Sequence, residues 1–322
     1  MKTSTLAALV LAVAAAAAAA VSHAQPYPAK PVRIIVGLAP GGTTDVFTRT
    51  LAQRLAEAWG QNVIVENRPG ASGMIGAEAV AKSAPDGYTL LVSPQTSLAV
   101  APALYGKAPY DTVRDFAPVS LLGSTPLVMI VHPSFPARSF KEFIELAKKQ
   151  PLTFGSGGVG SSPHMTGELL GAALGVKMTH VPYKGENPAI ADTIGGQIPI
   201  MFGNLPVALP HVRSGKVLAL ATTTAKRSPL APEIPTMSEG GIKDFEMATW
   251  YGMLAPAGTP PELVAKIQGD SARVLSDAAT RERLTKMGVD LVLNTPEEFR
   301  AYLQSEIARY TKIIRDNGLK AE

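Results

Sequence analysis

Two glycine-rich turns carry the residues most suited to chemistry: Ala39-Pro40-Gly41-Gly42-Thr43-Thr44-Asp45 and Gly157-Gly158-Val159-Gly160-Ser161-Ser162-Pro163-His164. Each follows an apolar, strand-like run and opens a helical pattern. A helix N-terminus leaves main-chain N–H groups unpaired and carries a partial positive charge, so glycines that permit close approach and hydroxyls that add donors make such a turn an anion site. Alone, either turn reads equally well as a strand-to-helix connection whose glycines supply positive φ and whose hydroxyl caps the helix. Their pairing predicts a clamp on one small carboxylate. The expected contacts are Pro40, Gly41, Gly42, Thr43 and Thr44 from the first turn and Gly158, Gly160, Ser161, Ser162 and His164 from the second. Asp45 is expected to complement the helix dipole and not to touch an anion.

The flanking patterns say how these turns are held. Pro31 to Val36 is a continuous β-branched run of the kind buried in a parallel sheet, and Phe47, Leu51 and Leu55 then recur at helical spacing up to a C-capping Gly60. Asn62 to Asn67 completes a β-α-β unit. The next strand, Tyr88 to Val92, ends in the polar turn Ser93 to Ser97, and ligands of open α/β sheets bind beyond carboxyl ends of strands, which adds Gln95 and Thr96 as contacts. Phe116 to His132 holds two apolar runs broken by Gly123-Ser124-Thr125-Pro126, where a first crossover into a second lobe is expected. Ser139 to Glu142 reads as a capping box for a helix reaching Lys149, and Leu152 to Phe154 feeds the second glycine turn. Further strands fit Lys177 to Pro182, Ile198 to Phe202 and Val217 to Thr222. Tyr183 and Asn204, at the ends of two of these, are further cleft candidates. A return crossover is expected at Trp250 to Leu254, before helices started at Thr259-Pro260-Pro261-Glu262 and Thr295-Pro296-Glu297-Glu298.

Other chemistries fit less well. Gly155-Ser156-Gly157-Gly158-Val159-Gly160 matches a dinucleotide-binding fingerprint, but the following strand ends in Tyr183 and Lys184 where an acidic residue would hold a ribose. A hydrolase of carboxylate esters is the main alternative, since Ser161 and Ser162 lie near His164; no nucleophile elbow is present, however, as Gly70-Ala71-Ser72-Gly73-Met74 fails at its last position. The histidines lack metal-ligand spacing. Arg49 and Arg68 are the cationic candidates, with ion pairing as their plainer role. No cofactor is expected.

Lys2, the apolar stretch Leu6 to Val21 and Ser22-His23-Ala24 read as a Sec signal peptide over residues 1–24, so a soluble mature chain is expected from Gln25. The sequence contains no cysteine, which excludes a lipidated cysteine, a disulfide framework and a thiolate metal site. The net charge of +4 is small and its charges are scattered, which argues against nucleic acid. With the leader removed, about 300 residues remain, more than one core usually serves, so two lobes are expected: 25–124 with 250–322, and 125–249.

Across nearly the whole mature chain, the motifs Tyr27-Pro28-x-Lys30-Pro31, Pro40-Gly41-Gly42 with Asp45, Glu66-Asn67-Arg68-Pro69-Gly70, Pro85-Asp86-Gly87-Tyr88-Thr89-Leu90, Val181-Pro182-Tyr183-Lys184-Gly185 and Ala257-Gly258-Thr259-Pro260 resemble the Bug receptors, periplasmic substrate-binding proteins of tripartite tricarboxylate transporters. The resemblance implies an α/β, two-lobe type II periplasmic binding fold with a central ligand cleft. It also implies a pincer of two loops, matching Pro40 to Asp45 and Gly158 to His164, which holds a ligand carboxylate largely through main-chain N–H groups. A monomer is expected, with a small organic acid as ligand and an inner-membrane tripartite tricarboxylate permease or a sensor protein as partner. Gly203-Asn204-Leu205-Pro206 departs from the family pattern, which resembles Asp-Asn-Leu-Pro; the missing carboxylate leans the expectation toward a non-amino-acid ligand such as a dicarboxylate or aromatic acid.

Overall fold

The computed structural model describes residues 27–320. The expected signal segment 1–24 lies outside the described residues. The chain begins with β1 (Val32–Val36), α1 (Thr43–Trp59), β2 (Val63–Asn67), α2 (Met74–Ala81) and β3 (Thr89–Pro94), followed by a π-helical turn (Thr96–Val100) and α3 (Ala101–Tyr105). A long strand, β4 (Phe116–Val131), leads to α4 (Phe140–Ala147), β5 (Leu152–Ser156), α5 (Ser162–Leu174), β6 (Met178–Pro182), α6 (Glu186–Ile194), β7 (Ile200–Asn204), α7 (Leu205–Arg213) and β8 (Leu218–Thr222). The chain returns through β9 (Ala248–Pro256) to α8 (Pro261–Leu275), α9 (Ala278–Lys286), β10 (Asp290–Leu291) and α10 (Pro296–Asp316). Among the described residues no helix is long and apolar enough to cross a membrane.

The strands form one sheet in the order β2-β1-β3-β9-β4-β7-β5-β6, with β8 and β10 also on β4. β1 is parallel to β2 and β3, and β5 is parallel to β6 and β7. Between these two parallel units run antiparallel β9 and β4. β4 pairs with β9 from Phe116 to Pro126, with β7 from Leu127 to Val131 and with β8 from Val128 to Val131. Gly123 to Pro126 therefore does not break the strand: it is one continuous element of 16 residues that passes from one parallel unit to the other. Gly123 serves the approach of β10, since a Cβ there would lie 2.7 Å from the Asp290 carbonyl oxygen. Pro126, which has no N–H to give, sits at the end of the β9 ladder opposite Ala248.

Register fixes where the two units meet. Pro94, at the carboxyl end of β3, lies opposite Tyr251; Asn204, at the carboxyl end of β7, lies opposite Leu127. Because Tyr251 pairs with Gly123, both carboxyl edges arrive at the middle of β4, four residues or about 13 Å apart. The loops that leave those edges thus face each other over the β4–β9 ribbon, and this is the cleft.

Local chemistry accounts for the supporting helices. Phe47, Leu51 and Leu55 on α1 are fully buried with Val32, Ile34 and Tyr251, each such side chain contributing about 1.5–3 kcal/mol, and Gly60 caps the helix at φ 63°. The capping box on α10 is complete: Thr295 accepts from the Glu298 amide while Glu298 accepts from the Thr295 amide. Ser139 caps α4, which stops at Ala147. Thr259 does not cap α8; its hydroxyl donates to the Pro256 carbonyl, and Pro260 holds the cap position.

Candidate functional site

The first glycine turn is braced by Asp45. This carboxylate, 3% exposed, accepts from the Gly41 amide at 2.9 Å, Arg49 Nε at 3.0 Å and Asn67 Nδ2 at 3.0 Å. Burial favours its neutral form, but the bonds from Arg49, Gly41 and Asn67 outweigh that and hold its pKa below the usual carboxylate value. Gly41 needs φ 88°, and Pro40 to Gly42 stand exposed. With the Gly41 amide turned back to Asp45, the free donors are the first-turn amides of α1 at Thr43 and Thr44, for which no acceptor exists among the described residues. Arg49 is engaged by Asp45 and Asn67, and Arg68 by Glu66, so the two expected cations serve ion pairs.

The second turn is built on two left-handed glycines, Gly158 (φ 134°) and Gly160 (φ 75°). Ser161 caps α5, accepting from the His164 amide at 3.3 Å and donating to the Gly158 carbonyl at 2.7 Å. The Gly160 amide donates to His164 Nδ1 at 3.0 Å. His164, 5% exposed, stacks on His180 at 3.9 Å between ring centroids, and His180 Nε2 lies 2.7 Å from Ser156 Oγ, which in turn accepts from the Gly158 amide. The two imidazoles therefore support the loop from beneath. With its proton on a carbonyl and no base on its oxygen, Ser161 is not an activated nucleophile.

Gln95 is a strut. It is fully buried; its amide nitrogen donates to Ser162 Oγ at 2.5 Å and to the Ala248 carbonyl at 2.8 Å, and its oxygen accepts from the Trp250 amide at 2.9 Å. Its polar atoms are thus engaged across the junction of the two units. Thr96, half-buried, begins the π-helical turn, and Gly160 packs above that turn close to Val100 and Leu104. Tyr183 turns away from the cleft: its ring joins the apolar cluster around Ile190 and Ile198, and its hydroxyl donates to Asp192 at 2.7 Å. Its contribution to the second turn is main-chain, through an amide donated to the Ser156 carbonyl.

The cleft floor holds residues that sequence reasoning did not single out for it. Thr125 and Tyr251, both fully buried, bring their hydroxyls to 3.0 Å. Burial pushes the Tyr251 phenol above its ordinary pKa, the Thr125 bond opposes this, the Glu186 carboxyl adds to it and the Thr43 hydroxyl opposes it. Glu186 opens α6 beside the second turn; a Cβ on Gly157 would lie 3.2 Å from its Cγ. Its Oε1 accepts from Asn204 Nδ2 at 2.6 Å and from the Asn204 amide at 3.2 Å. Burial raises the Glu186 pKa to about 7 against the opposing Asn204 bonds. The only sequence signal for Glu186 was its position directly after Tyr183-Lys184-Gly185. Gly203 has its open side toward the Met201 methyl, 3.2 Å from where a Cβ would stand, in the apolar cluster with Val128 and Ile130. Among the described residues no group of three or more metal-ligating side chains occurs.

Two facing helix N-termini over a ribbon of two crossing strands define a two-lobed α/β binding protein. The description "Tripartite tricarboxylate transporter family receptor" matches residues 47–319. Protein BugT of Bordetella pertussis is 38% identical over 99% of this chain and 98% of its own length. The periplasmic binding protein BugD superposes with a TM-score of 0.80 at 35% identity, over 92% of this chain and 100% of that one. A Rhodopseudomonas palustris protein with adipate gives a TM-score of 0.83 at 34% identity over 91% of this chain and 99% of its own, and MatC from the same organism, with bound malate, gives 0.78 at 33% over 89% and 100%. The chain belongs to the tripartite tricarboxylate transporter receptor family, whose members are periplasmic substrate-binding receptors and not enzymes.

Proposed function

We propose that this receptor captures a small organic acid between its two lobes, 25–124 with 250–322 and 125–249, and delivers it to an inner-membrane tripartite tricarboxylate permease or to a sensor protein. It reaches the periplasm by the Sec route and acts as a monomer. One ligand carboxylate is held by the main-chain amides of Thr43 and Thr44 on one side and those of Val159 and Ser162 on the other, with Pro40, Gly41, Gly42, Gly158 and Gly160 allowing close approach. Charge-assisted bonds to amides suffice for this without a cleft arginine. The observation that carries the reading is the register that brings the carboxyl ends of β3 and β7 to the middle of β4, with Gln95 Nε2 bonded to Ser162 Oγ at the start of α5. Relatives with adipate and malate bound agree with an acid ligand.

A thermal-shift screen of the mature protein against mono-, di- and tricarboxylates, amino acids and aromatic acids tests this. Ligand at about 100 times its Kd adds roughly 2.7 kcal/mol to stability, an easily read rise in melting temperature. The expected result is a rise with one carboxylate class and no turnover; no rise with any of them contradicts the proposal.

A further inference from the structure

Beyond the loops, two polar atoms beside the second turn are left by the protein itself without partners. Asn204 Oδ1 is shielded from solvent and accepts no hydrogen bond among the described residues. Glu186 spends Oε1 on Asn204, and no bond or ion pair engages its Oε2 among the described residues. The bonds from the Asn204 side chain and amide set Glu186 and Asn204 side by side at the carboxyl end of β7, whereas Thr249, opposite Thr125 on β9, lies across β4 from them. Tyr251, two residues beyond Thr249, lies near enough to Glu186 to feel its charge. A shielded amide oxygen such as Asn204 Oδ1 costs stability unless something fills its bond. Glu186 keeps partial solvent contact although protein surrounds it densely, as a group lining a cleft does.

The chemistry of this set is one-sided. The Glu186 carboxylate oxygen and the Asn204 amide oxygen accept only, so together they call for a donor. Among the described residues no cationic side chain reaches Glu186, and a ligand carboxylate held by the loops would bring a second negative charge into the same cleft. We propose that Glu186 and Asn204 Oδ1 form a subsite for a ligand ammonium group, so that the receptor selects an amino acid over the equivalent acid without nitrogen. This rests on the carboxylate-receptor reading above and reverses the expectation drawn from Gly203.

Matched pairs of ligands test it: aspartate against succinate and glutamate against glutarate, titrated calorimetrically into the mature protein at one pH. The amino acid of at least one pair is expected to bind about tenfold or more tightly than its partner, the range of one charge-assisted bond. In Glu186→Gln that preference shrinks to within a few-fold, with melting of the unliganded variant reporting on its fold. Should Glu186→Gln not fold, Asn204→Ala, which removes the orphaned amide oxygen, is expected to reduce the preference as well. Equal or tighter binding of the plain diacids overturns the subsite while leaving the carboxylate receptor standing. Binding of none of the four acids but of a nitrogen-free acid from the wider screen also overturns the subsite alone, binding of another amino acid there more tightly than its nitrogen-free equivalent supports it, and binding of no acid at all overturns both.

Discussion

Gln95 Nε2 and Ser162 Oγ, 67 residues apart in sequence, meet at 2.5 Å with both side chains buried, and through this bond the carboxyl end of β3 is tied to the first residue of α5. The same amide is bonded to the Ala248 carbonyl and the Trp250 amide of β9, so one side chain links the first unit, the crossover strand and the second glycine turn. Gln95→Leu keeps the volume but strands the Trp250 amide and the Ala248 carbonyl in the interior. The expected loss of stability is at least about 1–3 kcal/mol, read from urea unfolding. A change within about 0.5 kcal/mol, ordinary for an exposed position, contradicts the strut.

Gly42 offers a cleaner separation of fold from function. Its φ of −77° and ψ of 168° suit any residue, and a Cβ there would have no neighbour within 4 Å. Gly42→Val is therefore expected to melt within a degree or two of the wild type and to lose ligand binding, because the branched side chain occupies the space through which the ligand meets the Thr43 and Thr44 amides. Unchanged affinity removes this loop from the site.

Gly160 behaves in the opposite way. Its φ of 75° disfavours any side chain, and a Cβ would stand 3.2 Å from Leu104 Cδ2 across the junction. Gly160→Ala is expected to cost about 1–2 kcal/mol in stability and to weaken ligand binding together with it, as the loop gives up the amide bond to His164. Wild-type stability in this variant contradicts the strained geometry.

The stacked imidazoles predict a pH dependence. His180 has its pKa pushed down to about 3, first by burial and then by the nearby charge of His164. The unfolded chain takes up this proton near pH 6.5 and the folded chain does not until about 3, so the advantage of the folded state is complete above 6.5 and is lost as pH falls, by up to about 1.4 kcal/mol per pH unit. Unfolding free energy measured from pH 7 to 4.5 is expected to decline more steeply for the wild type than for His180→Phe, which keeps an aromatic ring on Phe154. Parallel profiles contradict the assignment.

The elements most legible in the sequence are those whose signals are local. Phe47, Leu51, Leu55 and Gly60 announce α1, Thr295 with Glu298 announces α10, and both glycine turns lie where strand and helix patterns meet. The continuity of β4 was not legible, because Gly123 and Pro126 look like breakers until β9 and β10 are seen alongside them. Side-chain direction was also hidden. Tyr183 and Gln95 stand at strand ends that face the cleft, yet one turns to Asp192 and the other into the interior. Glu186 with Asn204 and His164 with His180 are pairs made by adjacent strands and helices, 18 and 16 residues apart, which no spacing rule joins.

Amide NMR of the mature protein during titration with a bound carboxylate tests the central claim directly. The Thr43 and Thr44 resonances from one lobe and the Val159 and Ser162 resonances from the other are expected to move downfield along a single binding curve, as amides do on gaining a charged acceptor. Movement of one loop's amides with the other loop unaffected would contradict a carboxylate shared between the lobes.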